Sequence, residues 1–137
     1  MGSRRKAREA AVQMLYQMDV AGVDAERAIE LFWENLGAPA EEREFADSLV
    51  RGCGARRDQI DDKIRSVSKH WRLERMSRVD RNIIRLGAYE LLYVDDVPGR
   101  VTLNEAVELA KRFGNEESPA FVNGVLDRIA EESAKRD

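Results

Sequence analysis

One cysteine, one histidine, three prolines and an aromatic content of only 7% narrow what this chain of 137 residues can be. A lone Cys53 excludes an internal disulfide and fits a reducing cytoplasm. With His70 as the single histidine there is one candidate base, and no serine or cysteine signature beside it, so a nucleophile–base triad has little to draw on. One histidine and one cysteine also fall short of the usual ligand set of a zinc site. Gly52, Gly54, Gly114 and Gly124 do not form a phosphate-cradling loop followed by Lys-Ser/Thr. Carboxylates are abundant, but nothing singles out a catalytic pair. The expectation is a protein that is not an enzyme and holds no metal or cofactor. No apolar run approaches the ~20 residues that span a bilayer, and the basic start Met1–Lys6 has no apolar stretch behind it, so no secretory signal is expected. β-hairpin signals and solenoid-period repeats are missing as well.

What is present is helical periodicity. The stretch Ser77–Tyr93 places Val79, Ile83, Leu86, Gly87, Glu90, Leu91 and Val94 on one stripe, with Ile84, Ala88 and Leu92 widening it. A helix this apolar around its circumference is buried on more than one side. Ser77 with Asp80 three residues on predicts a cap and a helix start at Arg78. Arg78, Asp80, Arg81 and Arg85 are expected on its more solvated side. A first helix runs from a Ser3 cap to Val20, with Ala7, Ala11, Met14, Leu15 and Met18 inward, and Gly22 ends it. Asp24 caps a second to about Leu36. A long third helix from Ala40 carries Phe45, Leu49, Cys53, Ile60, Ile64 and Val67, and His70–Leu73 is a linker. Thr102–Glu105 reads as a capping box for a helix ending at Gly114, and Ser118-Pro119 opens the last one. The predicted fold is all-α: six to seven helices in one domain over 1–137, in two three-helix halves of about 1–68 and 73–137.

Charge is distributed in blocks. Residues 21–50 carry eight acidic and two basic side chains, whereas residues 51–85 carry eleven basic and five acidic. Such asymmetry suggests one face for a polyanion and another for a basic partner. Arg4, Arg5, Lys6 and Arg8 crowd the first turns of the first helix, the positive end of its macrodipole, where basic residues destabilise it. Their placement points to a phosphate ligand. Near the C-terminal end, Lys111-Arg112 precedes a loop of free amides and carboxylates flanked by Phe113 and Phe121. Unpaired RNA bases are typically stacked and read at their edges by such groups. Phe113 and Phe121 fit apolar stripes, so Lys111, Asn115, Glu116 and Glu117 are the better exposed candidates.

Three segments resemble the NusB family of bacterial transcription antitermination factors. Ser3–Gln17 is similar to its arginine-rich first helix, Val79–Leu91 to its central helix, and Val101–Asp127 to its C-terminal signature. They occur in family order and spacing, and 21–70 is the least characteristic part. The resemblance implies an all-helical, non-enzymatic, cytoplasmic factor. It implies binding to boxA RNA together with NusE, a small-subunit ribosomal protein, so that RNA polymerase reads through terminators, notably in ribosomal RNA operons. Residue by residue, the arginine-rich motif falls on Arg4, Arg5, Lys6 and Arg8, with Lys6 losing bidentate phosphate geometry. The acidic RNA-contacting position falls on Glu117, and the NusE-facing positions fall on Tyr16, Glu74 and Asp80. Pro119 departs from the pattern. Both monomers and self-associated forms occur in such a family, so a homodimer stays open. The alternatives are the NusB-like RNA-binding domain of an RNA cytosine methyltransferase, whose catalytic cysteines and cofactor loop this sequence does not carry, and a helical adaptor without RNA affinity.

Overall fold

Ser77 starts the helix on which the rest of the chain is assembled: the Asp80 N–H donates to its Oγ at 3.0 Å, as the cap predicts. A computed structural model describes residues 2–34 and 40–133 of the chain. Among them are seven α-helices: α1 (Gly2–Ala21), α2 (Ala25–Trp33), α3 (Ala40–Ala55), α4 (Arg57–Val67), α5 (Arg78–Tyr93), α6 (Gly99–Phe113) and α7 (Ser118–Glu132). A 3₁₀ turn, Leu73–Arg75, sits between α4 and α5, and the described residues hold no strand. The fold is all-α.

Helix α5 packs against α1, α3, α4, α6 and α7. That explains its wide apolar surface: Ile83, Ile84, Leu86, Ala88 and Leu91 are all buried. Each large side chain among them contributes about 1.5–3 kcal/mol by leaving water. Gly87 is needed for the close approach of α7, because a Cβ there would run into the Leu126 side chain. Helices α1, α2 and α3 pack on one another, as do α5, α6 and α7. At the end of α1, Gly22 takes φ 71, the left-handed stop that a glycine adopts without strain. Asp24 caps α2 by accepting the Arg27 N–H at 2.9 Å.

Four boundaries differ from the sequence reading. The long third helix is two helices, broken at Arg56, whose backbone (φ −117, ψ 23) leaves the helical region. Its second piece, α4, packs on α5 and α7, and the Arg56 guanidinium lies over the Tyr93 ring at 4.2 Å. Helix α6 begins at Gly99, three residues before the expected Thr102 cap, because Pro98 already supplies the turn. Thr102 is therefore inside the helix and buried, and its hydroxyl donates to Glu90 Oε1 at 3.2 Å. Helix α7 begins at Ser118, with Asn115 Oδ1 accepting the N–H groups of Glu117 (2.8 Å) and Ser118 (3.2 Å). Helix α1 is already formed at Gly2, so Ser3 is not its cap. The expected end of α2 at Leu36 and the tail beyond Ser133 lie outside the described residues. Among the described residues, no helix is long and apolar enough to cross a membrane.

Candidate nucleic-acid and partner interface

The basic start of α1 divides into two environments. Arg4, Arg5 and Lys6 are exposed. The Arg4 guanidinium stacks over the Phe45 ring at 4.0 Å, which holds the charge at the surface. Arg5 donates through Nε and Nη2 to Glu105 of α6 at 3.1 and 2.9 Å. That hydrogen bond raises the pKa of Arg5 and, from the other side, holds the Glu105 carboxyl below its usual range. Arg8 is different: it is only 3% exposed. Its Nε and Nη2 donate to the two oxygens of Glu90, both at 2.9 Å, and Thr102 adds a third donor to that carboxylate. The placement of Arg8 among solvated phosphate contacts is thus corrected: it is a strut joining α1 to α5.

Carboxylates from α5 and α6 answer two of the four basic residues at the start of α1, Glu90 meeting Arg8 and Glu105 meeting Arg5. A signal for the buried pair exists in the sequence. Arg8 stands three, four and seven residues before Ala11, Val12 and Leu15, all buried, and Glu90 lies on the apolar stripe of α5. A lone base and a lone acid, each on a buried stripe, must find one another or remain as uncompensated charges.

Helix α6 brings the second set of candidates to the same side. Arg112 approaches Glu9 of α1 at 3.5 Å, and Lys111 is exposed and pairs with Glu108 at 3.4 Å. Beyond it, Glu117 is exposed at the N-cap of α7 and makes no side-chain cap. Asn115 and Glu116 are exposed too, while Phe113 and Phe121 are half-buried against the core.

Of the residues expected to face a protein partner, Tyr16 is 37% exposed on α1. Glu74 is exposed in the 3₁₀ turn and accepts from Arg65 at 2.9 Å. Asp80 is buried, contrary to the solvated placement expected of it, and its Oδ1 has no hydrogen-bond partner. Asp80 and Glu117 line a single open cleft of about 500 Å³ with Trp71, Arg75, Asn115 and Phe121. One position expected to face RNA, Glu117, and one expected to face the partner, Asp80, therefore line the same cleft.

Arg81 and Arg85, also expected on the solvated side of α5, instead tie three helices together. Asp19 Oδ2 of α1 accepts from Arg81 Nε (3.0 Å), Asn82 Nδ2 (3.0 Å) and Arg85 Nη1 (3.3 Å). Arg85 also donates to both Asp61 oxygens of α4, at 2.8 and 3.1 Å. Burial pushes the Asp19 carboxyl up, but the hydrogen bonds from Asn82 and Arg81 and the two arginine charges outweigh it and leave its pKa lowered. Cys53 is buried, and burial drives its thiol pKa up, so it is held as an inert thiol. Among the described residues no group of three or more His, Cys, Asp or Glu is arranged to hold a metal ion.

Comparison with known proteins gives the same answer from several directions. The NusB family model matches residues 5–131. The transcription antitermination protein NusB of Sorangium cellulosum (strain So ce56) is 52% identical over 137 residues, covering 100% of this chain and 98% of that protein. Its counterpart in Myxococcus xanthus (strain DK1622) is 51% identical over 134 residues, covering 95% and 96%. Among solved structures, T. maritima NusB superposes with a TM-score of 0.85 at 41% identity, covering 94% of this chain and 91% of that one. A chain from the crystal structure of antitermination factors NusB and NusE in complex with dsRNA gives a TM-score of 0.86 at 30% identity, covering 96% and 98%. With the match running through the basic first helix, the central helix and the α6–α7 loop, the chain belongs to the NusB family.

Proposed function

We propose that this chain is an RNA-binding transcription antitermination factor. It binds a boxA-like RNA together with the ribosomal protein NusE and joins the RNA polymerase complex that transcribes ribosomal RNA operons. It acts by binding and not by catalysis, and works in the cytoplasm. The observation that carries this reading is the basic seam where α1 meets α6 through the Arg5–Glu105 and Arg112–Glu9 contacts, with Arg4, Lys6 and Lys111 exposed on the same two helices. Glu117 stands at the end of this basic surface, beside Asn115 whose amide group remains able to donate to a base. NusE is assigned to the side of Tyr16, Glu74 and Asp80, with the Asp80–Glu117 cleft as the seam where RNA and protein meet. Arg8 supports RNA binding only by holding α1 in place.

Titration with a boxA-like RNA, as a single strand and as a duplex, with and without NusE and at two salt concentrations, tests the reading. Replacing Arg5 and Lys6 with alanine is expected to weaken binding and to lower the slope of log affinity against log salt by about one unit per lost phosphate contact. Tyr16→Ala is expected to speed NusE dissociation while leaving RNA affinity of the isolated chain intact. Parent-like RNA affinity and salt slope in the double variant would overturn the assignment of the basic face.

A further inference from the structure

On the far side of Trp71 from the Asp80–Glu117 cleft lies a second cleft, about 310 Å³, between residues 67–71 and α7. We propose that this second cleft is an additional single-stranded RNA contact, in which one unpaired base stacks on the Trp71 indole and its phosphates lie against Lys69, His70 and Arg128. The proposal rests on the RNA-binding reading above and extends the RNA path beyond the residues named there.

Three observations carry it. First, Trp71 is 64% exposed, the most exposed large apolar side chain among the described residues. Phe121 meets it edge-on, with ring centroids 6.0 Å apart at 78°, which steadies the indole and leaves ring surface free. Base–aromatic stacking is the sequence-tolerant part of single-strand recognition. Second, the charge is of one sign. Lys69 and Arg128 supply the charge of this cleft, beside His70 and without a carboxylate, whereas Asp80 and Glu117 line the other. Arg128 Nη1 donates to the Val67 carbonyl at 2.6 Å, which fixes the guanidinium at the rim. Glu132, whose carboxyl feels the charges of Lys69 and Arg128, is engaged by Lys63. Third, Gly124 lies exposed within α7 and lines the cleft, and a Cβ built on it meets nothing within 4 Å. Gly87 and Gly52 are accounted for by the side chains of Leu126 and Tyr89 against them. Gly124 weakens its helix with no such neighbour, and what it provides is open space beside the indole. The two clefts share Trp71 and Phe121, so a strand leaving the Glu117 loop continues into the second along these two rings.

The test uses the full chain and a single-stranded RNA long enough to pass the α7 N-terminus, with Trp71→Ala, Lys69→Gln and Gly124→Gln as variants. Trp71→Ala is expected to weaken binding about tenfold with an unchanged salt slope, since stacking releases no counterions. Lys69→Gln is expected to lower the slope by about one unit. Gly124→Gln is expected to block the cleft and weaken binding while the melting temperature stays level or rises. If the parent binds the RNA and Trp71→Ala and Gly124→Gln bind it equally well, the cleft is not an RNA contact and the inference falls. Loss of NusE binding, or of self-association in sedimentation, with RNA affinity intact would overturn it in favour of a protein surface. A parent that binds no RNA at all would instead sink the functional reading itself.

Discussion

Arg8→Ala should lower the melting temperature by about 7–16 °C, although the same change relieves a basic residue at the positive end of a helix. Relief of the dipole conflict is worth about 0.3–1 kcal/mol. Against it stands the pair with Glu90: both side chains are almost wholly buried, with two hydrogen bonds of 2.9 Å. Removing one partner of a buried pair leaves an uncompensated charge and costs about 3–5 kcal/mol. At roughly 2.1 cal/mol/K per residue, unfolding 137 residues carries about 0.29 kcal/mol/K, so each kcal/mol moves the midpoint about 3.5 °C. The expected fall is about 10–17 °C, less a few degrees of dipole relief. Melting followed by circular dichroism measures it, with a double variant, Arg8→Met with Glu90→Leu, as control. The double variant should recover most of the loss, because burying neither charge avoids the desolvation that Glu90 suffers without the Arg8 guanidinium. A fall of less than about 3 °C in Arg8→Ala would mean that water reaches the pair and that Arg8 is available to RNA after all.

Three further outcomes follow from the same geometry. Glu105→Gln removes the carboxylate that occupies two Arg5 donors, so RNA affinity measured by titration should rise a few-fold with little change in melting, and a fall would show that Glu105 aims Arg5 instead of competing for it. Gly52→Val places atoms where the Tyr89 ring lies and should cost about 1–3 kcal/mol in urea unfolding at unchanged m, whereas parent-like stability would mean that the ring moves aside freely. The folded-state pKa of Asp19 is depressed, so its contribution is present above the ordinary carboxylate range and is lost as pH falls through the lowered value. Asp19→Asn should therefore flatten the acid limb of the stability–pH curve, and an identical acid limb in the variant would refute its part in that loss.

Much of the fold was legible because its signals are short-range. Ser77 and Asp24 cap helices within three residues of themselves, and Gly22 stops α1 locally. The apolar stripe of α5 announces burial on several sides, and the three family segments are contiguous runs. The expected single helix over 40–67 failed for a related reason: Ile60 follows Cys53 at helical spacing, so periodicity passes through a break that resides in the backbone of Arg56 alone. Thr102 failed as a cap because Pro98 had already begun the helix, which turned its hydroxyl inward to Glu90.

The sequence by itself determined the helical class, the stripes that form the core, and the presence of a basic first turn suited to phosphate. Which of those basic residues stay free was decided only by the tertiary structure. Arg5 meets Glu105 across 100 residues and Arg8 meets Glu90 across 82, while Lys6 remains exposed. The same holds for the charges of α5, where Asp19 and Asp61 draw Arg81 and Arg85 inward from helices that only packing brings near. Helical spacing specifies the direction in which a charge points on its own helix. What it meets there depends on the docking of apolar faces, which here carries Arg8, Arg81 and Arg85 inward against carboxylates of other helices.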